Sequence, residues 1–208
     1  MEMRWLEKVM MNSPPRTWML RAVEAPRVLG GLDLPEGCTC LEIGCGSGAG
    51  AMLIGRYVRP GRLVCVDIDE AMLRRARKRV ARPPRWARGA KADAIELRCA
   101  DAVALPFGEE TFDAAFLFGV LHHIDNWPKA IREVARVLKP GGTFAFEEAL
   151  ISTCFFWLSR YYRHAPFGAE ELKAALRDAG LELRSFRTAM FGRMCFVRAV
   201  KPNRGRRA

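Results

Sequence analysis

No apolar run in this sequence approaches the roughly 20 residues that a membrane-crossing helix requires. The uncharged stretch Ala149 to Ser159 is short and interrupted by Ser152, Thr153 and Ser159. Glu2, Arg4, Glu7 and Lys8 leave the first turns without the apolar centre of a secretory signal. A cytoplasmic chain with no transmembrane segment is therefore expected. Cys-x-x-Cys spacing is also absent. The seven cysteines, 38, 40, 45, 65, 99, 154 and 195, and the three histidines complete no metal pattern, so no metal site is expected. Unpatterned thiols, odd in number and mostly in strand-like runs, suit core positions in a reducing compartment. Repeats and low-complexity segments are missing as well. Acidic residues are the scarcer charge, 23 against 34 Lys and Arg, which leaves a formal +11. Nine of the basic residues fall between Arg74 and Lys91, and Arg204, Arg206 and Arg207 close the chain. That surplus fits either a solvated helix face or an RNA-attracting surface, and no nucleic-acid motif accompanies it.

What is present is enough for one domain with a full core: 208 residues, half of them apolar. The first thirty residues read as helical, broken at Ser13-Pro14-Pro15 and stopped by Gly30-Gly31. Strands are then predicted at Cys38 to Ile43, Leu63 to Asp67, Ile95 to Cys99, Phe112 to Phe118 and Thr143 to Glu147. Helices between them are predicted up to Tyr57, from Glu70 to about Val80, and from Pro128 to Leu138. The last is capped by Asn126 and ended by Pro140-Gly141-Gly142. A helix from Glu170 to Ala179, stopped by Gly180, precedes two strands near Leu181 to Arg187 and Met194 to Val200. Their closeness in sequence predicts an antiparallel pair at the sheet edge. This alternation describes an α/β, Rossmann-like three-layer sandwich, a mostly parallel sheet with an antiparallel edge strand.

Leu41-Glu42-Ile43-Gly44-Cys45-Gly46-Ser47-Gly48 is a buried strand running into Gly-x-Gly-x-Gly and a helix start. Such glycines allow a tight turn and bring backbone N–H groups close to a ligand. Gly44, Gly46 and Ala49 also satisfy a relaxed dinucleotide fingerprint, so the loop alone leaves the ligand open. No Gly-Lys-Ser/Thr follows, which excludes a phosphate-binding P-loop. Val66-Asp67-Ile68-Asp69 ends the next strand, where a carboxylate can accept both hydroxyls of a ribose. Asp67 is the better placed, and Asp69 suits the cap of the following helix.

Further motifs follow in order: Asp101-Ala102, Leu105-Pro106-Phe107, Phe112-Asp113, Val120-Leu121-His122-His123-Ile124 and Leu138-Lys139-Pro140-Gly141-Gly142. With the glycine loop ahead of them, the chain from about Cys38 to Glu147 resembles the class I S-adenosylmethionine-dependent methyltransferases. The likeness is to the broad small-domain family that includes the quinone-biosynthesis C-methyltransferases. The resemblance implies S-adenosyl-L-methionine as cofactor. Glu42, Gly44, Cys45, Gly46 and Gly48 would surround its methionine part, with the Gly119 backbone near the amino group. Asp67 would hold the ribose, Ile68 would pack on the adenine, and Asp101 would accept from the adenine amino group beside the Ala102 backbone. A sulfonium and an ammonium without phosphate suit a loop lined by Glu42, Asp67 and Asp101.

Methyl transfer needs an in-line nucleophile and exclusion of water, and a base only where the acceptor must lose a proton. Candidate bases are His122, His123, Glu147, Glu148 and His164, with one of the two glutamates expected to face solvent. The catalytic residue stays unassigned. Phe155, Phe156, Trp157, Tyr161 and Tyr162 suit either an apolar acceptor pocket or a helix packed on the core. No Asn/Asp-Pro-Pro-Tyr/Phe motif of nucleic-acid amino methylation follows the fourth strand. The expected organisation is a single domain over 1–208. It comprises an N-terminal helical lid (1–31), a cofactor-binding core (38–148), an acceptor-side region (149–200) and a flexible tail (201–208). The expected partner is a small-molecule acceptor, with an apolar one the first to consider and no specific nucleic acid. An RNA methyltransferase and a non-catalytic cofactor-binding protein remain the alternatives.

Overall fold

Seven strands form in the computed structural model, which describes residues 13–150 and 167–203. They are β1 (Thr39–Ile43), β2 (Arg62–Asp67), β3 (Ile95–Cys99), β4 (Phe112–Phe118), β5 (Leu138–Ala149), β6 (Glu182–Ala189) and β7 (Met194–Val200). One sheet contains all seven in the order β3-β2-β1-β4-β5-β7-β6. The first five are parallel, β7 runs antiparallel to β5, and the edge strand β6 runs antiparallel to β7. The expected α/β architecture with its antiparallel edge is therefore present.

Side chains alternate between two buried layers, as the period of a strand requires. Leu41, Ile43, Val64, Val66, Ala115 and Leu117 face helices α5 (Trp127–Val137) and α6 (Ala169–Asp178). Cys40, Cys65, Ala114, Phe116 and Phe118 face the other way, onto α3 (Ala49–Tyr57), α4 (Glu70–Ala81) and the N-terminal helix. That helix is α1 (Pro14–Met19), continued by a π-helical stretch, Leu20–Glu24, into α2 (Ala25–Leu29). Ser13 caps its start, with Pro14 and Pro15 in the first turn, where a missing N–H is harmless. Among the described residues no helix is long and apolar enough to cross a membrane.

Two expectations need correction at β5. The helix α5 stops at Val137, and the strand begins at once with Leu138, which pairs with Phe112. Pro140-Gly141-Gly142 lies inside the strand because Gly141 N–H donates to the Lys201 carbonyl and Lys201 N–H to the Gly142 carbonyl. At the other end β5 runs on to Ala149, pairing Glu147 with Phe196 and Glu148 with Cys195. Both glutamates are consequently buried, at 2% and 0% exposure, and neither faces solvent.

The order β3-β2-β1-β4-β5 reverses direction between β1 and β4. The loops leaving the carboxyl ends of those two neighbours diverge there and open a crevice.

Candidate functional site

The glycine loop after β1 is folded by its own backbone requirements. Gly44, Gly46 and Gly48 all have positive φ, between 53° and 79°. A Cβ at Gly44 would stand 2.5 Å from the Val120 side chain, so the loop after β4 closes directly on it. A Cβ at Gly46 would meet nothing within 4 Å, because it points into a cavity of about 330 Å³. Arg79 of α4 holds the same loop from behind, donating to the Ser47 carbonyl and to Ser47 Oγ, each at 2.8 Å.

Nine of the ten sequence-derived cofactor positions line this one cavity: Glu42, Gly44, Cys45, Gly46, Asp67, Ile68, Asp101, Ala102 and Gly119. Gly48 does not. It precedes α3, and a Cβ there would lie 3.1 Å from Ala76 Cβ, so it allows α3 and α4 to approach. Asp67, at the tip of β2, already accepts the Gly46 N–H at 2.7 Å on one oxygen and the Asp69 N–H at 2.9 Å on the other. Burial raises its carboxyl above the ordinary aspartate value, against the pull of these N–H donors. Asp69 takes the capping role, accepting the Ala71 N–H at 2.8 Å. Asp101 accepts the Val103 N–H at 3.0 Å and so shapes the loop after β3.

Glu42 is 2% exposed, and its Oε2 has no hydrogen-bond partner among the described residues. Burial pushes its carboxyl from 4.5 up to about 8, with the Cys65 thiol beside it pulling down. An unsatisfied buried carboxyl oxygen facing a cavity is placed to take its hydrogen-bond partner from a ligand. Ile68, 49% exposed on the opposite rim, presents an apolar surface suited to a flat ring. These features fit S-adenosylmethionine: a cationic amine for Glu42, ribose hydroxyls for the Asp67 tip and a purine for Ile68.

Of the candidate bases, His123 lines the cavity and His122 does not; the two rings are in contact, 4.0 Å between centroids and tilted by 43°. His122 Nδ1 is hydrogen-bonded to Glu148 Oε1, and Glu148 also accepts the Leu121 and Ala149 N–H groups at 2.7 and 2.8 Å. Three donors thus satisfy a fully buried carboxylate. Glu147 is raised well above the usual carboxyl value by burial and then by Glu24 and Glu148 nearby. His164 and the aromatic group Phe155, Phe156, Trp157, Tyr161 and Tyr162 lie outside the described residues.

Sequence reasoning missed contributors from three parts of the chain. Arg79 looks like one member of a basic run, and nothing local marks it as the loop's support. Arg16, with Thr17 and Leu20, lines the cavity from the N-terminal helix. Asp125 and Asn126 line it from the turn before α5, where Asn126 also caps that helix.

The model of a family described as a methyltransferase domain matches residues 41–146. The chain is similar to demethylmenaquinone methyltransferase of Symbiobacterium thermophilum, 37% identical over 110 residues that cover 52% of this chain and 41% of that protein. It is also similar to fatty-acid O-methyltransferase of Mycolicibacterium smegmatis, 30% identical over 156 residues covering 75% and 48% of the two chains. In fold it is similar to a SAM-dependent methyltransferase from Aquifex aeolicus. The TM-score is 0.74 at 20% identity, over 96% of this chain and all of the other. The chain spans about half the length of the curated relatives it matches.

Proposed function

This chain belongs to the methyltransferase-domain family, with S-adenosyl-L-methionine as its cofactor, and on that premise we propose that it transfers a methyl group to a small, apolar acceptor. The observation that carries the reading is the unsatisfied Glu42 oxygen, set in a crevice whose walls are a glycine loop, Asp67 and Asp101. Bound cofactor supplies an activated methyl group on a sulfonium. The chain's own residues bind and orient. Glu42 accepts from the amine beside the Gly119 carbonyl, Asp67 accepts from the ribose, and Ile68 packs on the adenine. Asp101 and the Ala102 backbone read the adenine edge. Residues 1–31 act as a lid and 149–200 as the acceptor side, which excludes water from the transfer.

The apolar acceptor is supported by the two relatives, named for a demethylmenaquinone and a fatty acid. Where the acceptor must lose a proton, the ring lining the cavity is His123. Its neighbour His122 is fixed through Nδ1 by Glu148. A cytoplasmic location is part of the same proposal.

The test is calorimetric titration with S-adenosylmethionine and with NAD, followed by methyl transfer from labelled cofactor to hydroxylated quinones and to fatty acids. Micromolar affinity for the methyl donor and label in an organic-soluble product are expected. Tight NAD binding with no response to the methyl donor would sink the reading.

A further inference from the structure

Five acidic side chains line the cavity, Glu42, Asp67, Asp69, Asp101 and Asp125, against one permanently cationic side chain among the described residues, Arg16. S-adenosylmethionine carries two cations, its sulfonium and its ammonium, and a single anion, the α-carboxylate. A cavity with this charge pattern has one place for that anion.

Arg16 reaches the cavity because of how the N-terminal helix is wound. Residues eight apart on an uninterrupted α-helix diverge by about 80°. The wider turn of the π-helical stretch, Leu20–Glu24, absorbs most of that angle and returns Glu24 to nearly the same face as Arg16. There Arg16 Nη1 donates to both oxygens of Glu24, at 2.9 and 2.7 Å. Glu24 itself is fully buried, so the guanidinium is anchored on a rigid base. Nη2 stands 3.5 Å from Glu147 Oε1, beyond a normal charge-assisted hydrogen bond. It is also 3.7 Å from the point a Cβ would occupy on Gly119, at the end of the cavity where the amino-acid part of the cofactor is placed.

Glu24 and Glu147 do not simply neutralise this arginine twice over. Burial, with Glu24 and Glu148 close by, raises the Glu147 carboxyl well above the usual carboxylate range. Nη1 is engaged by Glu24, while Nη2, 3.5 Å from Glu147, keeps donor capacity toward the cavity.

We propose that Arg16 is the binding residue for the cofactor's α-carboxylate, so that the N-terminal helix completes the site and selects the full cofactor over forms that lack this group. The assignment rests on the methyltransferase reading. It adds a specificity that the glycine loop and Asp67 cannot supply, since neither presents a cation.

The experiment compares S-adenosylmethionine with decarboxylated S-adenosylmethionine, which differs by the carboxylate alone. Both are titrated calorimetrically into the full chain and its variants. The wild type should prefer the carboxylated form by about 10- to 100-fold, the range of one charge-assisted hydrogen-bond pair. Arg16→Ala should erase the preference by weakening only the carboxylated ligand, and Arg16→Lys should restore part of it. Because Arg16→Ala leaves Glu24 buried beside no cation, the double variant Arg16→Gln with Glu24→Gln, checked by melting temperature, supplies a second test with both charges removed. Equal weakening of the two ligands, or a preserved preference in a folded variant, overturns the role of Arg16 while leaving the methyltransferase reading intact. A wild type that binds neither ligand overturns both.

Discussion

Glu42 illustrates what a single buried group does to the behaviour of the site. With its carboxyl raised from 4.5 to about 8 by burial, the unliganded chain holds a proton there at neutral pH. The native state then binds more protons than the unfolded chain between those two values, so this group lowers stability as pH rises through that window. An ammonium placed beside it favours the carboxylate, and ligand binding must release the proton. Cofactor affinity should therefore rise with pH up to about 8 and level off above. Calorimetry in phosphate and in Tris, which differ in ionisation enthalpy, should show release approaching one proton at pH 7. Glu42→Gln should bind more weakly with a flat pH profile, whereas a wild type that releases no proton would contradict the role given to Glu42. Gly46 gives a steric counterpart. Its φ of 53° penalises any β-branched residue, by about 1–2 kcal/mol, and the space beside it is the cavity itself. Gly46→Val should lower cofactor affinity more than 100-fold, an estimate that adds about 1–2 kcal/mol of strain to lost contacts. A folded Gly46→Val chain that binds normally would show that the loop does not approach the ligand.

At the scale of elements, the hairpin between β6 and β7 is wound against its residues' preferences. Arg193 N–H donates to the Met190 carbonyl, and the central pair Phe191 and Gly192 have φ of 57° and 81°. This is the geometry in which Asn-Gly is favoured, and here a phenylalanine occupies the first position, fully exposed. Phe191→Asn removes no burial and relieves the left-handed strain. It should stabilise the chain by about 1 kcal/mol, seen as a rise in melting temperature of about 2–4 °C. An unchanged or lower melting temperature would show that the exposed ring is engaged by something else. The same turn shows where the sequence is readable. Of its strands β7 was visible as an apolar run, and β3 and β4 were legible to the residue, β4 from its apolar run and β3 from apolar residues alternating with charged ones. The start of β5 was hidden because Pro140-Gly141-Gly142 reads as punctuation, and only pairing with Lys201 keeps it in the sheet. The nine cavity positions at the carboxyl ends of β1, β2, β3 and β4 were legible because each lies at or just past a strand end at motif spacing. Arg16 and Glu24 were not, since a π-helical turn has no sequence signal and their partner Glu147 lies on a strand far along the chain.

For the whole molecule, the question is what a surplus of eleven positive charges does. Eight of the nine basic residues between Arg74 and Lys91 are exposed, along α4 and the turns beyond it, and the ninth, Arg79, is committed to Ser47. Helix α4 packs on the flank of the sheet, beside β2 and β3, while the cavity opens at the carboxyl edge between β1 and β4. Charge on that flank attracts a polyanion without presenting a base to the methyl group. Inside the cavity the balance is reversed, with five acidic side chains against Arg16. An RNA strand drawn to the flank would meet repulsion at the crevice. Retention on RNA should accordingly be weak and sequence-independent, and should fall steeply with salt, which makes counterion release on binding less favourable. Removing residues 204–208 should shallow that salt dependence and leave methylation of a small acceptor unaltered. Filter binding across a salt series, paired with labelled-cofactor transfer to total RNA, measures both halves. Stoichiometric labelling of one RNA species at physiological salt would mean that a nucleic acid does reach the crevice, and the RNA methyltransferase alternative would then describe the chain better.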